Sequence, residues 1–137
     1  MKQRFSIILL ILFCKLVGAQ APKLEWVRQV GGSQYQFISD QVTDNDGNMY
    51  YSGGFNGLTD LDPGTGISQV IAAGNISIFI SKIDSSGNLI WGKQLGTFGS
   101  YQAGRFVELD YSGNLYVAGY CYDVMDADPG QAVFNIT

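Results

Sequence analysis

The sequence of 137 residues contains no histidine, and that absence removes more chemistry than any other feature of its composition. Ser-His-Asp triads and His-ligated zinc are excluded within this chain. Cysteine is nearly as scarce. Cys14 and Cys121 are the only two, and Cys14 falls in an N-terminal segment that reads as a removable leader. The cysteine that remains cannot form an internal disulfide, so the fold is not a disulfide-stapled scaffold. Proline is confined to Pro22, Pro63 and Pro129. No stretch after residue 20 sustains a helical period, and none is apolar for the roughly 20 residues of a membrane-spanning helix.

Basic residues are also few, and their placement matters. Met1-Lys2-Gln3-Arg4 forms a short basic start, Phe5 to Phe13 an apolar run, and Val17-Gly18-Ala19 a small-residue cleavage site. This is the pattern of a secretory signal peptide over residues 1–19, cut after Ala19. Lys15 interrupts the run and argues against a membrane anchor. Cleavage leaves 118 residues. The leader holds three of the eight basic residues, so five remain against twelve acidic ones, a net charge of −7. A secreted acidic chain without a basic cluster is a poor partner for nucleic acid or an anionic membrane surface.

What is present is a repeat. Asp46-Gly47-Asn48-Met49-Tyr50 recurs as Ser112-Gly113-Asn114-Leu115-Tyr116, and Asp60-Leu61-Asp62-Pro63-Gly64 as Asp126-Ala127-Asp128-Pro129-Gly130, each 66 positions on. Trp26 and Trp91 are offset by 65. Residues 20–96 make one full repeat and 97–137 part of a second. Repeats of this size must bury their faces against neighbours.

Within a period the pattern is strands and turns. Leu24 to Val30 alternates as a strand exposed on one side, and Phe37 to Val42 suggests a second strand. Met49 to Phe55 returns from the turn Asp44-Asn45-Asp46-Gly47-Asn48. A long loop is expected from Gly57 to about Asn75. Ile76 to Ile83 then alternates strictly, and Leu89 to Leu95 returns after Asp84-Ser85-Ser86-Gly87-Asn88. Arg105 to Leu109 and Leu115 to Gly119 repeat the first hairpin around Asp110-Tyr111-Ser112-Gly113-Asn114. Glycine and asparagine tolerate positive φ, and an aspartate before the turn accepts backbone N–H groups. The expected fold is all-β, built from four-stranded antiparallel blades of the β-propeller type.

Three stretches together carry a resemblance: Asp44 to Gly53, Asp60 to Gly64, and Phe79 to Trp91. The chain resembles the bacterial secreted β-propeller repeat family, the seven-bladed or SBBP-type repeat, over nearly all of the mature sequence. The resemblance implies an exported protein of a Gram-negative bacterium with propeller architecture, and no particular chemistry. A closed propeller takes about four to eight blades. The sequence therefore reads as the N-terminal part of a longer protein; the alternative is a natively short chain that closes its unpaired strand edges by self-association.

The aspartates are the first candidates for chemistry. Asp44-Asn45-Asp46-Gly47-Asn48 begins like a calcium loop but lacks the late ligands, and the turns at Asp84 and Asp110 drop the second aspartate. A hairpin turn capped by aspartate is the expected role. In Asp60-Leu61-Asp62-Pro63-Gly64 and Asp126-Ala127-Asp128-Pro129-Gly130, Pro-Gly favours a type II turn with glycine at positive φ, capped by the preceding aspartate. Calcium bound by Asp60, Asp62, Asp126 and Asp128 is the alternative there. No other cofactor is expected.

Signatures of propeller enzymes fit poorly. The segment Asp84 to Trp91 misses the sialidase-type spacing at both ends, and Gly87 to Trp91 only echoes a quinoprotein turn. Trp26 and Trp91 are expected to pack between blades. Tyr50 and Tyr116, at equivalent repeat positions, are assigned to the core. Tyr120 and Tyr122 replace Gly54 and Asn56, so they stand outside the shared scaffold and are candidates for a surface contact. Cys121 is read as a small buried residue with no histidine to activate it. The sequons at Asn75 and Asn135 would mean glycosylation in a eukaryotic secretory pathway, and are incidental if the bacterial resemblance holds. The expected function is an exported, non-enzymatic binding or adhesion scaffold for a protein or glycan, with specificity in its loops. The alternatives are an exported glycan-active or quinoprotein-like enzyme with its catalytic residues in other blades, and a calcium-stabilised structural module.

Overall fold

A strand can satisfy its backbone only against another strand edge, so the hairpins of this chain set its architecture. The computed structural model describes residues 21–96, 102–122, 124–130 and 132–136, and the leader expected over residues 1–19 lies outside them. The described residues are all-β, with several antiparallel sheets. The principal sheet joins β2 (Gln36–Thr43), β3 (Met49–Phe55), β6 (Ser77–Ile83) and β7 (Leu89–Leu95) in the order β2-β3-β6-β7. β8 (Gln102–Leu109) and β9 (Leu115–Cys121) form a second, two-stranded sheet. The sheets do not close into a barrel or ring among the described residues.

The second sheet copies the first half of the principal one. β8 and β9 begin 66 positions after β2 and β3. Even the bulge recurs, between Ile38 and Asp40 in β2 and between Gly104 and Phe106 in β8. Such an irregularity bends a strand and increases its local twist.

The expected loop from Gly57 to Asn75 is corrected by the structure. It contains β4 (Leu58–Asp60) and β5 (Gln69–Ile71), which pair with each other, and β4 also pairs with β1 (Gly31–Gly32). These strands have two or three residues, too few to show an alternating pattern. The second repeat echoes them in β10 (Met125–Asp126) and β11 (Asn135–Ile136).

Leu24 to Val30 is a second correction. It has the alternation of a strand but joins no ladder among the described residues. Side chains tether it instead. Trp26 Nε1 donates to Ser85 O at 3.0 Å, and Arg28 Nε donates to Gly87 O at 3.2 Å. The segment thus lies on a sheet face, where apolar side chains can bury but backbone pairing is unavailable.

Two apolar clusters follow. Tyr51, Phe55, Leu61, Phe79 and Ile83 are buried together, with Trp26, Val30, Met49, Val70, Ala72 and Leu89 packed around them. On the opposite face of the principal sheet, Ile78 and Ile80 pack with Met125, Trp91, Leu95, Leu115, Val117, Cys121 and Ala127. Full burial of a Phe or Ile side chain contributes about 1.5–3 kcal/mol. The second cluster is therefore a sheet-on-sheet interface. Asp40 Oδ2 reinforces it by accepting the N–H of Val107 at 3.0 Å.

Candidate functional site

The three Asp-x-x-Gly-Asn turns share one geometry. Asp44 Oδ1 accepts the N–H groups of Asp46 (3.0 Å) and Asn48 (2.8 Å), while Asn48 Nδ2 donates to Oδ2 at 2.9 Å. Asp84 and Asp110 make the same three bonds with Ser86 and Asn88, and with Ser112 and Asn114. Gly47, Gly87 and Gly113 take φ of 82°, 81° and 82°, a left-handed conformation that costs glycine little. These donors hold each carboxyl below its ordinary pKa. The foremost cause is the Asn48 side chain at Asp44, the Asn88 backbone at Asp84 and the Asn114 side chain at Asp110. The expected capping role is what the geometry presents.

The two Asp-x-Asp-Pro-Gly loops also repeat bond for bond. Asp60 Oδ1 accepts from Asp62 N (3.0 Å) and Ser68 N (2.8 Å), bridging the two arms of the β4–β5 loop. Asp62 Oδ1 accepts from Gly64 N at 2.7 Å. In the second copy, Asp126 bridges Asp128 and Phe134, and Asp128 accepts from Gly130 at 2.6 Å. The bond from Phe134 is the leading reason that the Asp126 pKa is lowered.

The expected type II turn is not what forms. Gly64 and Gly130 are absent from the positive-φ glycines, because the Asp62 and Asp128 side chains close the turn themselves. Glycine there leaves room for the carboxylate that closes the turn, since a Cβ on Gly64 would lie 3.0 Å from Asp62 Oδ1. A Cβ on Gly130 would lie 2.8 Å from Asp128 Oδ1, and one on Gly66 would overlap Asp62 Oδ2. Among the described residues, no group of three or more Cys, Asp or Glu side chains is placed to hold a metal ion.

The turns at Asp44 and Asp84 lie side by side, since Met49 pairs with Ile83 and a Cβ on Gly47 would stand 3.3 Å from Ser85 Cβ. The turns at Asp44 and Asp110 flank a cleft of about 470 Å³, lined also by Asp46, Tyr50 and Tyr111. All three turns therefore gather at one end of the stacked sheets. Lys82 answers part of this negative charge, with Nζ 3.5 Å from Asp44 Oδ2 and 4.6 Å above the Tyr50 ring.

The other candidate surface is aromatic. Tyr120 and Tyr122 meet edge to face at 5.7 Å, with the Arg105 guanidinium 5.2 Å over Tyr120. Tyr116 is corrected from core to surface: it is 59% exposed, against 9% for its repeat equivalent Tyr50. Tyr50 is covered because Trp91 stands edge-on to it at 6.1 Å and the second sheet lies over that face. Nothing among the described residues covers Tyr116 in the same way. Arg105, which sequence reasoning passed over, joins the Tyr120 surface, and its neighbour Phe106, passed over too, is exposed on β8. Their signal was present, since they replace Ser39 and Asp40 of the first repeat.

Trp26 and Trp91 pack in the first and second clusters respectively. Cys121 is half-buried in the second, where the first repeat has Phe55. No helix among the described residues is long and apolar enough to cross a membrane. No protein-family model, curated protein or solved structure matches the chain.

Proposed function

We propose that the chain belongs to an exported, non-enzymatic β-propeller repeat protein that acts as a binding or adhesion scaffold at or outside the cell surface. The observation that carries this reading is the recurrence of one sheet unit every 66 residues, with the second copy stacked on the face of the first. Arrays of this kind stabilise themselves through successive interfaces and leave their loops free for recognition. Here the Asp turns crowd one end of the stack, and β9 carries an aromatic pair, Tyr120 with Tyr122 beside it, that the first repeat lacks. Aromatic rings with a nearby guanidinium offer flat apolar area and directional polar contact, the combination that protein and glycan ligands use. The exported address rests on residues 1–19 and on the resemblance to secreted bacterial propeller repeats.

The test combines export with binding. The chain is expressed with its leader in a Gram-negative host, and the mature mass and compartment are measured. The purified product is then applied to glycan and protein arrays beside a Tyr120→Ser/Tyr122→Ser variant. The reading expects a product beginning at Gln20 outside the cytoplasm, with array binding reduced at least about tenfold by the variant. An uncut cytoplasmic product, or array binding identical in the variant, overturns the corresponding half of the proposal.

A further inference from the structure

We infer that Asn56 is a self-modification site, where the chain converts its own side-chain amide to a carboxylate through a cyclic imide with Gly57. Asparagine is a thermolabile side chain, and its reactivity depends on the residue that follows. The nitrogen of that residue attacks the side-chain carbon, so a glycine nitrogen that holds no hydrogen bond and carries no Cβ beside it reacts most readily. Asn56-Gly57 is the one Asn-Gly pair in the sequence.

The fold leaves both reacting groups uncommitted. Gly57 N donates to no backbone carbonyl among the described residues, although its own carbonyl accepts Ala72 N at 3.0 Å. Its φ of 66° marks a tight bend between β3 and β4. Asn56 Oδ1 is buried and has no hydrogen-bond partner. Other asparagines are held differently. Asn48, Asn88 and Asn114 tie Nδ2 to the carboxylates of Asp44, Asp84 and Asp110, and each is followed by Met or Leu. The related Asp46-Gly47 pair is closed to the same attack, because Gly47 N donates to Asp44 O at 3.0 Å.

The step balances with water alone. Gly57 N gives up its proton and bonds to Asn56 Cγ, the Cγ–Nδ2 bond breaks, and the nitrogen leaves as ammonia. Water then opens the ring at either carbonyl. The product is aspartate, or isoaspartate with one more methylene in the main chain. Either puts a negative charge at a buried position with no donor, and an unpaired buried charge is unfavourable. The disturbance falls on the β3–β4 junction, where Asn56 N donates to Tyr35 O at 3.0 Å and Ser33 N to Leu58 O at 3.2 Å. The second repeat has Tyr122 and Asp123 at these positions, so the first junction alone is altered.

The test incubates the full chain in warm, mildly alkaline buffer, beside a sample unfolded in urea. Peptide mass mapping follows each asparagine, and a methyl-transfer assay specific for isoaspartate follows ring opening. In the folded chain, conversion at residue 56 should be at least about tenfold faster than at any other asparagine, and within about tenfold of its rate in urea. An Asn56→Asp chain should unfold at lower urea and exchange the amide hydrogens of residues 33 and 56 faster. Equal rates at all asparagines overturn the inference, as does a folded chain that holds residue 56 far below its rate in urea. Unchanged stability and exchange in Asn56→Asp overturn the effect on the junction.

Discussion

Gly104 offers the sharpest perturbation of the sheet-on-sheet interface. It lies on β8 where the second sheet crosses the principal one. A Cβ there would overlap Ser52 Oγ and stand 3.2 Å from Ile78 Cγ2. Ser52 is fully buried on β3, and its backbone is held by β2 and β6 on either side. Gly104 does not use positive φ, so alanine brings no backbone strain. The cost of Gly104→Ala is then overpacking, about 1–3 kcal/mol. Ser52→Gly removes Oγ and Cβ of residue 52, the severest of these contacts, and leaves Ile78 Cγ2 at 3.2 Å, at about 0.5–1 kcal/mol for a glycine inside a strand. If the sheets meet as described, the double variant loses less than the two single variants together. The coupling should be about 1–3 kcal/mol, read from urea unfolding by linear extrapolation. Additivity within about 0.5 kcal/mol would refute the reasoning, because it would mean that residues 52 and 104 do not touch.

Three further outcomes follow from the same geometry. Asp44, Asp84, Asp110 and Asp126 have pKa values below 3.8 in the folded chain, so their stabilising effect is present above that value and lost as pH falls through the folded values. Urea midpoints should hold steady from neutral pH down to about 5 and fall below about 4, with a shallower fall in an Asp44→Asn/Asp84→Asn/Asp110→Asn chain. Asp60→Ala removes the acceptor of two backbone N–H groups and should cost roughly 1–3 kcal/mol in chemical unfolding. Calcium at about millimolar concentration should leave the melting midpoint unchanged, because Asp60 and Asp126 already accept two backbone bonds each; a clear rise would establish the cation role instead.

Much of the principal sheet was legible in the sequence, because each hairpin announces itself through Asp-x-x-Gly-Asn and an alternating strand. β2, β3, β6 and β7 fall within a residue or so of their expected bounds. β4 and β5 were not legible, since strands of three residues inside an Asp- and Gly-rich loop have no period to read. Leu24 to Val30 shows the opposite failure. Its alternation suggests burial on one face, and Trp26 and Val30 are half-buried while Leu24 is exposed; a ladder also needs a free edge beside it. Tyr116 failed for a related reason. Repeat position predicts which way a side chain points, whereas exposure depends on whether another sheet covers it. The capping roles of Asp60, Asp62, Asp126 and Asp128 were legible from local chemistry, but not the closure of the Pro-Gly turn by the carboxylate itself.

The stacking of one repeat on the next underlies the scaffold proposal. Methyl-to-methyl nuclear Overhauser effects, measured on chain labelled at Ile, Leu and Val, test it directly. The packing described here predicts cross-peaks from Ile78 and Ile80 to Leu115 and Val117. Their absence, with the β2–β3 and β8–β9 hairpins each intact by their own backbone contacts, would contradict the stacked-repeat account.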